Sequence, residues 1–199
     1  MNSSRITSDD TSRVSLGIGL GVAVLLLGVA IYFALIGHAA SKKITGFDPN
    51  RPVPSDAILR SRLNADQYRV TRENGTETAF QNKYWNNVQP GIYVDVISGE
   101  PLFCSVDKFD GGTGRPTFSK PISKDLIVEK DDNSHDMHRI ELRAKRSDAH
   151  LGHLVADSTS PTGQRYAVNS AALRFIPTEE MQHEGYTTYL SLVTPVTQK

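Results

Sequence analysis

The longest uninterrupted apolar pattern runs from Val14 to Ile36, 23 residues without a charged side chain. At the α-helical rise this run is ~34 Å long, enough for a bilayer core of about 30 Å. Tyr32 and Phe33 sit near its end, and Arg13, Lys42 and Lys43 flank it. The run exceeds the ~7–15 residues of a signal-peptide core, so an uncleaved single-pass helix is expected over residues 14–38, after a tail of residues 1–13. Gly17 and Gly21 begin a stripe of small residues, continued by Gly19–Ala23 and Ala30–Ala34, which suits close helix packing.

Beyond this run the pattern changes. Residues 39–56 are polar, carry Pro49, Pro52 and Pro54, and read as a linker. Ser55 is placed to cap a short helix through Leu63, and Asn64 a second over 65–73 that Asn74-Gly75 closes. From Gly91 onward short β-branched and apolar runs alternate with turn residues. Gly91–Ile97, Leu102-Phe103, Leu126–Val128, Ile140–Leu142 and Ala171–Phe175 read as strands. Gly111–Gly114, Asp131–Ser134 and Ser158–Gly163 read as loops. The pattern predicts a mainly antiparallel β domain over residues 57–193 with short N-terminal helices, and a tail of residues 194–199.

Composition narrows the function classes. Lys+Arg and Asp+Glu both number 22, so no basic excess points to nucleic acid. The single cysteine, Cys104, excludes an internal disulfide and a four-thiolate metal site. The charge flanking the apolar run is near parity. The layout of a short tail and one anchor leans to an extracytoplasmic domain on a membrane.

Several strings, in order from about residue 60 to 193, carry a family resemblance. They include Gln67–Glu77, Gly91–Val96 with Ser98–Phe103, Asp107–Asp110, Gly112–Phe118, Ala149–His153 and Arg165–Phe175. Together they resemble the B-type methionine-R-sulfoxide reductases. The resemblance implies two antiparallel sheets rolled into a partial barrel. It also implies a thiolate that attacks the sulfoxide sulfur and ends as a sulfenic acid, which a second thiol resolves.

The attacking cysteine of the family's Arg-Tyr-Cys-x-Asn motif falls at position 167, which is alanine here. Alanine has no nucleophile and no redox state. The family's resolving cysteine falls at Thr113, and the tryptophan forming its apolar methyl-binding wall falls at Arg115. Phe118 is carried over as a further pocket residue. His150, His153, Asp157, Arg165 and Asn169 match the polar part of the family's site. By resemblance His153 and Asn169 help hold the sulfoxide oxygen, while Asp157 and Arg165 balance charge. The same five residues also read as hydrogen-bonding partners of folded loops. The residues after His153 have become Val155 and Ala156.

Positions of the zinc-binding thiolates of some members are Asp95, Ser98, Ala144 and Ser147, so no metal and no cofactor are expected. Cys104 reads either as a relocated redox residue or as inert packing, and packing is favoured. The resulting expectation is a membrane-tethered, reductase-like domain without catalysis, serving as a structural or interaction subunit of a membrane assembly with protein partners. Two other readings stay open: an active peptide-methionine (R)-S-oxide reductase, through Cys104 or with position 167 altered, and a module that binds methionine sulfoxide without reducing it.

Overall fold

The computed structural model describes residues 46–134 and 137–193. The apolar run of residues 14–38 and the tails lie outside the described residues. No helix among the described residues is long and apolar enough to cross a membrane.

Two helices open the domain, α1 (Asp56–Arg62) and α2 (Ala65–Glu73). The second starts in a reciprocal cap: Asn64 Oδ1 accepts from Gln67 N–H at 2.8 Å, and Gln67 Oε1 accepts from Asn64 N–H at 3.1 Å. It ends at Asn74, whose φ of 54° is a left-handed cap. Ser55, by contrast, precedes α1 without a side-chain capping bond. Part of the expected linker is packed onto the domain. Phe47 joins an apolar cluster, and the Arg146 guanidinium donates to the carbonyls of Asp48 and Arg51.

The strands form two antiparallel sheets. A three-stranded sheet has the order β2 (Pro101–Cys104), β1 (Gly91–Asp95), β9 (Leu173–Pro177). A six-stranded sheet has the order β3 (Lys108–Phe109), β4 (Thr117–Phe118), β8 (Gln164–Val168), β7 (His150–Ala156), β6 (Arg139–Ala144), β5 (Ile127–Asp132). Short helices α3 (Thr178–Met181) and α4 (Leu190–Val193) follow. The two antiparallel sheets are as expected; neither closes among the described residues, with β2 and β9 at the edges of the smaller sheet and β3 and β5 at those of the larger.

Three expected elements moved. The strand expected over Gly91–Ile97 stops at Asp95, whose side chain accepts from Ile97 N–H in the following turn. Ser170–Ala172 is a single 3-10 turn before β9, and Asp131 and Asp132 extend β5 because they pair with Ile140 and Arg139.

Between the sheets lies a core built on Tyr93, Phe103, Phe118, Leu142, Leu151 and Tyr166. Phe103 and Phe118 stack with ring centroids 4.5 Å apart, and Tyr93 meets Phe118 edge-on at 5.0 Å. A second apolar cluster holds Ile92, Val94, Cys104, Ile176, Met181 and Tyr186. It lies on the opposite face of the small sheet, because successive strand residues alternate sides.

Candidate functional site

Side-chain alternation in the larger sheet assembles the site. In β8, Tyr166 and Val168 are buried in the core while Arg165 and Ala167 point to the other face. Ala167 is flanked by Thr117 of β4 and His153 of β7. In β6, Leu142 faces the core and Glu141 lies opposite His153 on the outer face.

A register shift makes the two histidines neighbours. Leu142 pairs with Gly152 and Arg143 with His150, so Leu151 is the extra residue of a bulge. Without it, residues three apart on a strand face opposite ways. With it, His150 and His153 share a face, their rings 5.5 Å apart.

Gly152 allows the strands to approach. Its φ is 154°, and a Cβ there would lie 2.1 Å from the Ala167 carbonyl oxygen.

Around Ala167 is a pocket of about 170 Å³, lined by Thr76, Thr113, Arg115, Arg139, Gly152, His153, Val155, Arg165, Ala167 and Asn169. Thr76, Arg139 and His153 also line a neighbouring cavity of about 540 Å³, together with Asp132, Glu141 and His150.

His153 Nε2 lies 2.8 Å from Asp132 Oδ2, and Arg139 donates to the same oxygen at 2.6 Å. The Asp132 carboxyl is held well below the usual carboxylate range, first by bonds from Ser134 and then by His153 and Arg139. Arg165 donates to Asp157 Oδ2 at 3.3 Å and to the Gly111 carbonyl at 2.9 Å. Asp157 is itself fixed by Thr159, whose N–H and hydroxyl donate to Oδ1, and these bonds lower its pKa. His150 is buried with Nδ1 2.6 Å from Glu141 Oε1. Burial pushes its pKa down more strongly than Glu141 raises it, so its neutral ring donates to the carboxylate. Arg143 supplies Glu141 with its compensating charge at 2.6 Å.

Five residues singled out from the sequence therefore converge on the pocket with Ala167: Thr113, Arg115, His153, Arg165 and Asn169. Asn169 is occupied structurally. Its Oδ1 accepts from Glu77 N–H at 3.1 Å and its Nδ2 donates to the Leu151 carbonyl at 3.1 Å. Asp157 stands behind Arg165, and His150 lines the neighbouring cavity.

Phe118 corrects the sequence expectation. It pairs with Tyr166, one residue beyond the Thr117–Ala167 pair, and alternation turns it into the core. Cys104 is also remote in kind. It is 2% exposed, and its Sγ donates to the Leu192 carbonyl at 3.4 Å within the second cluster. Burial raises its pKa, which disfavours the reactive thiolate.

Arg139, Asp132 and Thr76 were not singled out from the sequence. The signal for Arg139 was its two-residue spacing from Glu141, legible only once the register of β6 is known.

The former thiolate positions do not fit zinc. Asp95 Oδ2 accepts from the Ser98 hydroxyl at 2.5 Å, and Ser147 Oγ accepts from Ala149 N–H at 3.2 Å, so each closes its own turn. Among the described residues no group of three or more His, Cys, Asp or Glu is arranged to hold a metal ion.

Residues 63–177, which carry this pocket, match the SelR domain. The chain belongs to this family, that of the B-type methionine-R-sulfoxide reductases. It is 52% identical over 139 residues to the peptide methionine sulfoxide reductase MsrA/MsrB of Vibrio cholerae, a match covering 70% of this chain and 37% of that protein.

Proposed function

We propose that this SelR domain does not reduce methionine sulfoxide and serves, tethered to a membrane by residues 14–38, as a structural or interaction subunit of a membrane assembly. The observation that carries the reading is Ala167. It lines the pocket, at the position where the family's motif has its attacking cysteine. In the thiol reaction the attacking sulfur takes the oxygen and becomes a sulfenic acid, while the substrate sulfur leaves as a thioether. A methyl group accepts no oxygen and provides no electrons.

Two further features support the loss. The pocket holds the Arg115 guanidinium where the family has an apolar wall, and a permanently charged group is a poor neighbour for a methyl group. Cys104 lies in the second apolar cluster and is not among the residues lining the pocket. The tether rests on the 23-residue uncharged run and its flanking cations.

The test is incubation of the full chain with peptide methionine-R-sulfoxide and dithiothreitol. No methionine above the protein-free control is expected. Turnover that disappears in Cys104→Ser would overturn the reading. The tether is tested separately by carbonate extraction of membranes, which should leave the chain in the pellet; release into the supernatant contradicts it.

A further inference from the structure

The pocket around Ala167 gathers several side-chain polar atoms that no described protein group pairs with. Four of its lining residues carry a buried polar side-chain atom without a hydrogen-bond partner among the described residues: Nε of Arg115, Arg139 and Arg165, and Oγ1 of Thr113. Buried polar groups are nearly always paired, so such a cluster calls for an acceptor. No carboxylate lines the pocket among the described residues.

The charge count defines that acceptor. Arg139 is paired with Asp132 and Arg165 with Asp157. Among the described residues Arg115 forms no ion pair, and its Nη2 donates to the Glu77 carbonyl at 3.2 Å. The nearby Glu77 carboxyl accepts from Ala171 N–H at 3.1 Å through Oε1, and its Oε2 is buried without a hydrogen-bond partner among the described residues. Burial raises its pKa against the lowering pull of the Arg115 charge. Among the three guanidinium groups lining the pocket, Arg115 alone has no carboxylate within ion-pair distance among the described residues, which suits a monoanion. At about 170 Å³ the pocket is smaller than the ~300–1,000 Å³ of sites for whole drug-sized ligands. It suits one small charged group, with the neighbouring cavity available for the rest of the molecule carrying it.

We propose that this pocket is a carboxylate-binding site in which Arg115, flanked by Arg139, Arg165 and Thr113, receives the carboxylate of a ligand. The planar fork of a guanidinium matches a carboxylate edge to edge, and such charge-assisted bonds are the strong ones. The site deepens the non-catalytic reading: the substitution that spoils a methyl-binding wall installs an anion receptor on the same spot.

The test is calorimetric titration of the full chain in a neutral mild detergent. Probes are sodium acetate, sodium chloride at matched ionic strength, and one short peptide prepared with a free C-terminal carboxylate and as its amide. Saturable binding of acetate but not chloride is expected. Arg115→Gln should weaken it about tenfold or more, and Arg115→Lys by less, because charge persists without the fork. Thermal melting of both variants checks that the domain remains folded.

Tighter binding of the peptide acid than of acetate assigns the carboxylate to a chain terminus, and equal binding assigns it to a small free acid. Equal binding of peptide acid and amide, an acetate response no different from chloride, or unaltered affinity in Arg115→Gln would overturn the proposal. Sulfoxide turnover measured on the same preparation speaks only to the non-catalytic reading and leaves the carboxylate result standing.

Discussion

A cysteine introduced at position 167, alone and with Arg115→Trp, separates the effects of the two departures from the family's motifs that the pocket combines. Ala167→Cys adds one sulfur to a side chain that already faces a pocket of about 170 Å³, so the fold has room for it. The lining includes three guanidinium groups and His153, which should lower the new thiol below the ~8.5 of a free cysteine. Nucleophile chemistry is thereby restored, but the methyl of the substrate still meets Arg115. A methyl-sized mismatch in a pocket is worth ~1–3 kcal/mol, or roughly 10–200-fold in kcat/KM. Ala167→Cys alone is therefore expected to turn over slowly. Ala167→Cys with Arg115→Trp should be faster by about that factor. The assay is initial-rate reduction of a peptide methionine-R-sulfoxide with dithiothreitol, in a Cys104→Ser background. Alkylation rate against pH gives the thiol's ionisation. Equal kcat/KM in the single and double variants would refute the assignment of Arg115 to the methyl wall.

Other consequences are open to measurement. Gly152→Ala forces a Cβ to within 2.1 Å of the Ala167 carbonyl oxygen, so urea unfolding should show a loss of about 3 kcal/mol or more; a change under ~0.5 kcal/mol contradicts the close approach. Cys104 is buried, and in the native full chain it should be silent to a disulfide-exchange reagent until denaturant is added; prompt stoichiometric reaction contradicts its placement. Burial holds His150 below its ordinary 6.5, so the folded state binds fewer protons there than the unfolded chain. The stability it contributes is present above about pH 6.5 and is lost as pH falls through the folded-state value. His150→Gln keeps a donor for Glu141 without titrating, and should flatten the melting temperature profile just below pH 6.5; an unchanged slope argues against a buried neutral ring.

Much of this architecture is legible in the sequence because local chemistry dictates it. Asn64 and Gln67 stand at cap spacing, and Asn74 takes the left-handed position that ends α2. Gly91–Asp95 is apolar on both faces and declares a buried strand. The outer face of the large sheet is harder to read. In β7 and β8, Gly, His and Arg interrupt the apolar alternation, and the bulge at Leu151 shifts its phase. Motif resemblance supplied Ala167, His153 and Arg165, but proximity in sequence misplaced Phe118, which one step of the pleat turns into the core. Arg139 and Asp132 reach the site through cross-strand pairing, information that single-strand periodicity does not contain. Asp48 and Arg51 of the expected linker are held by Arg146, nearly a hundred residues along the chain, a contact no local pattern announces.

The central claim is that the chain lacks the sulfur chemistry of its family, and a single-turnover experiment addresses it without dependence on any reductant. The full chain is mixed with excess peptide methionine-R-sulfoxide and no added thiol, and methionine formed per chain is counted alongside the intact mass of the protein. No methionine and an unchanged mass are expected. One equivalent of methionine with Cys104 one oxygen heavier would contradict the account.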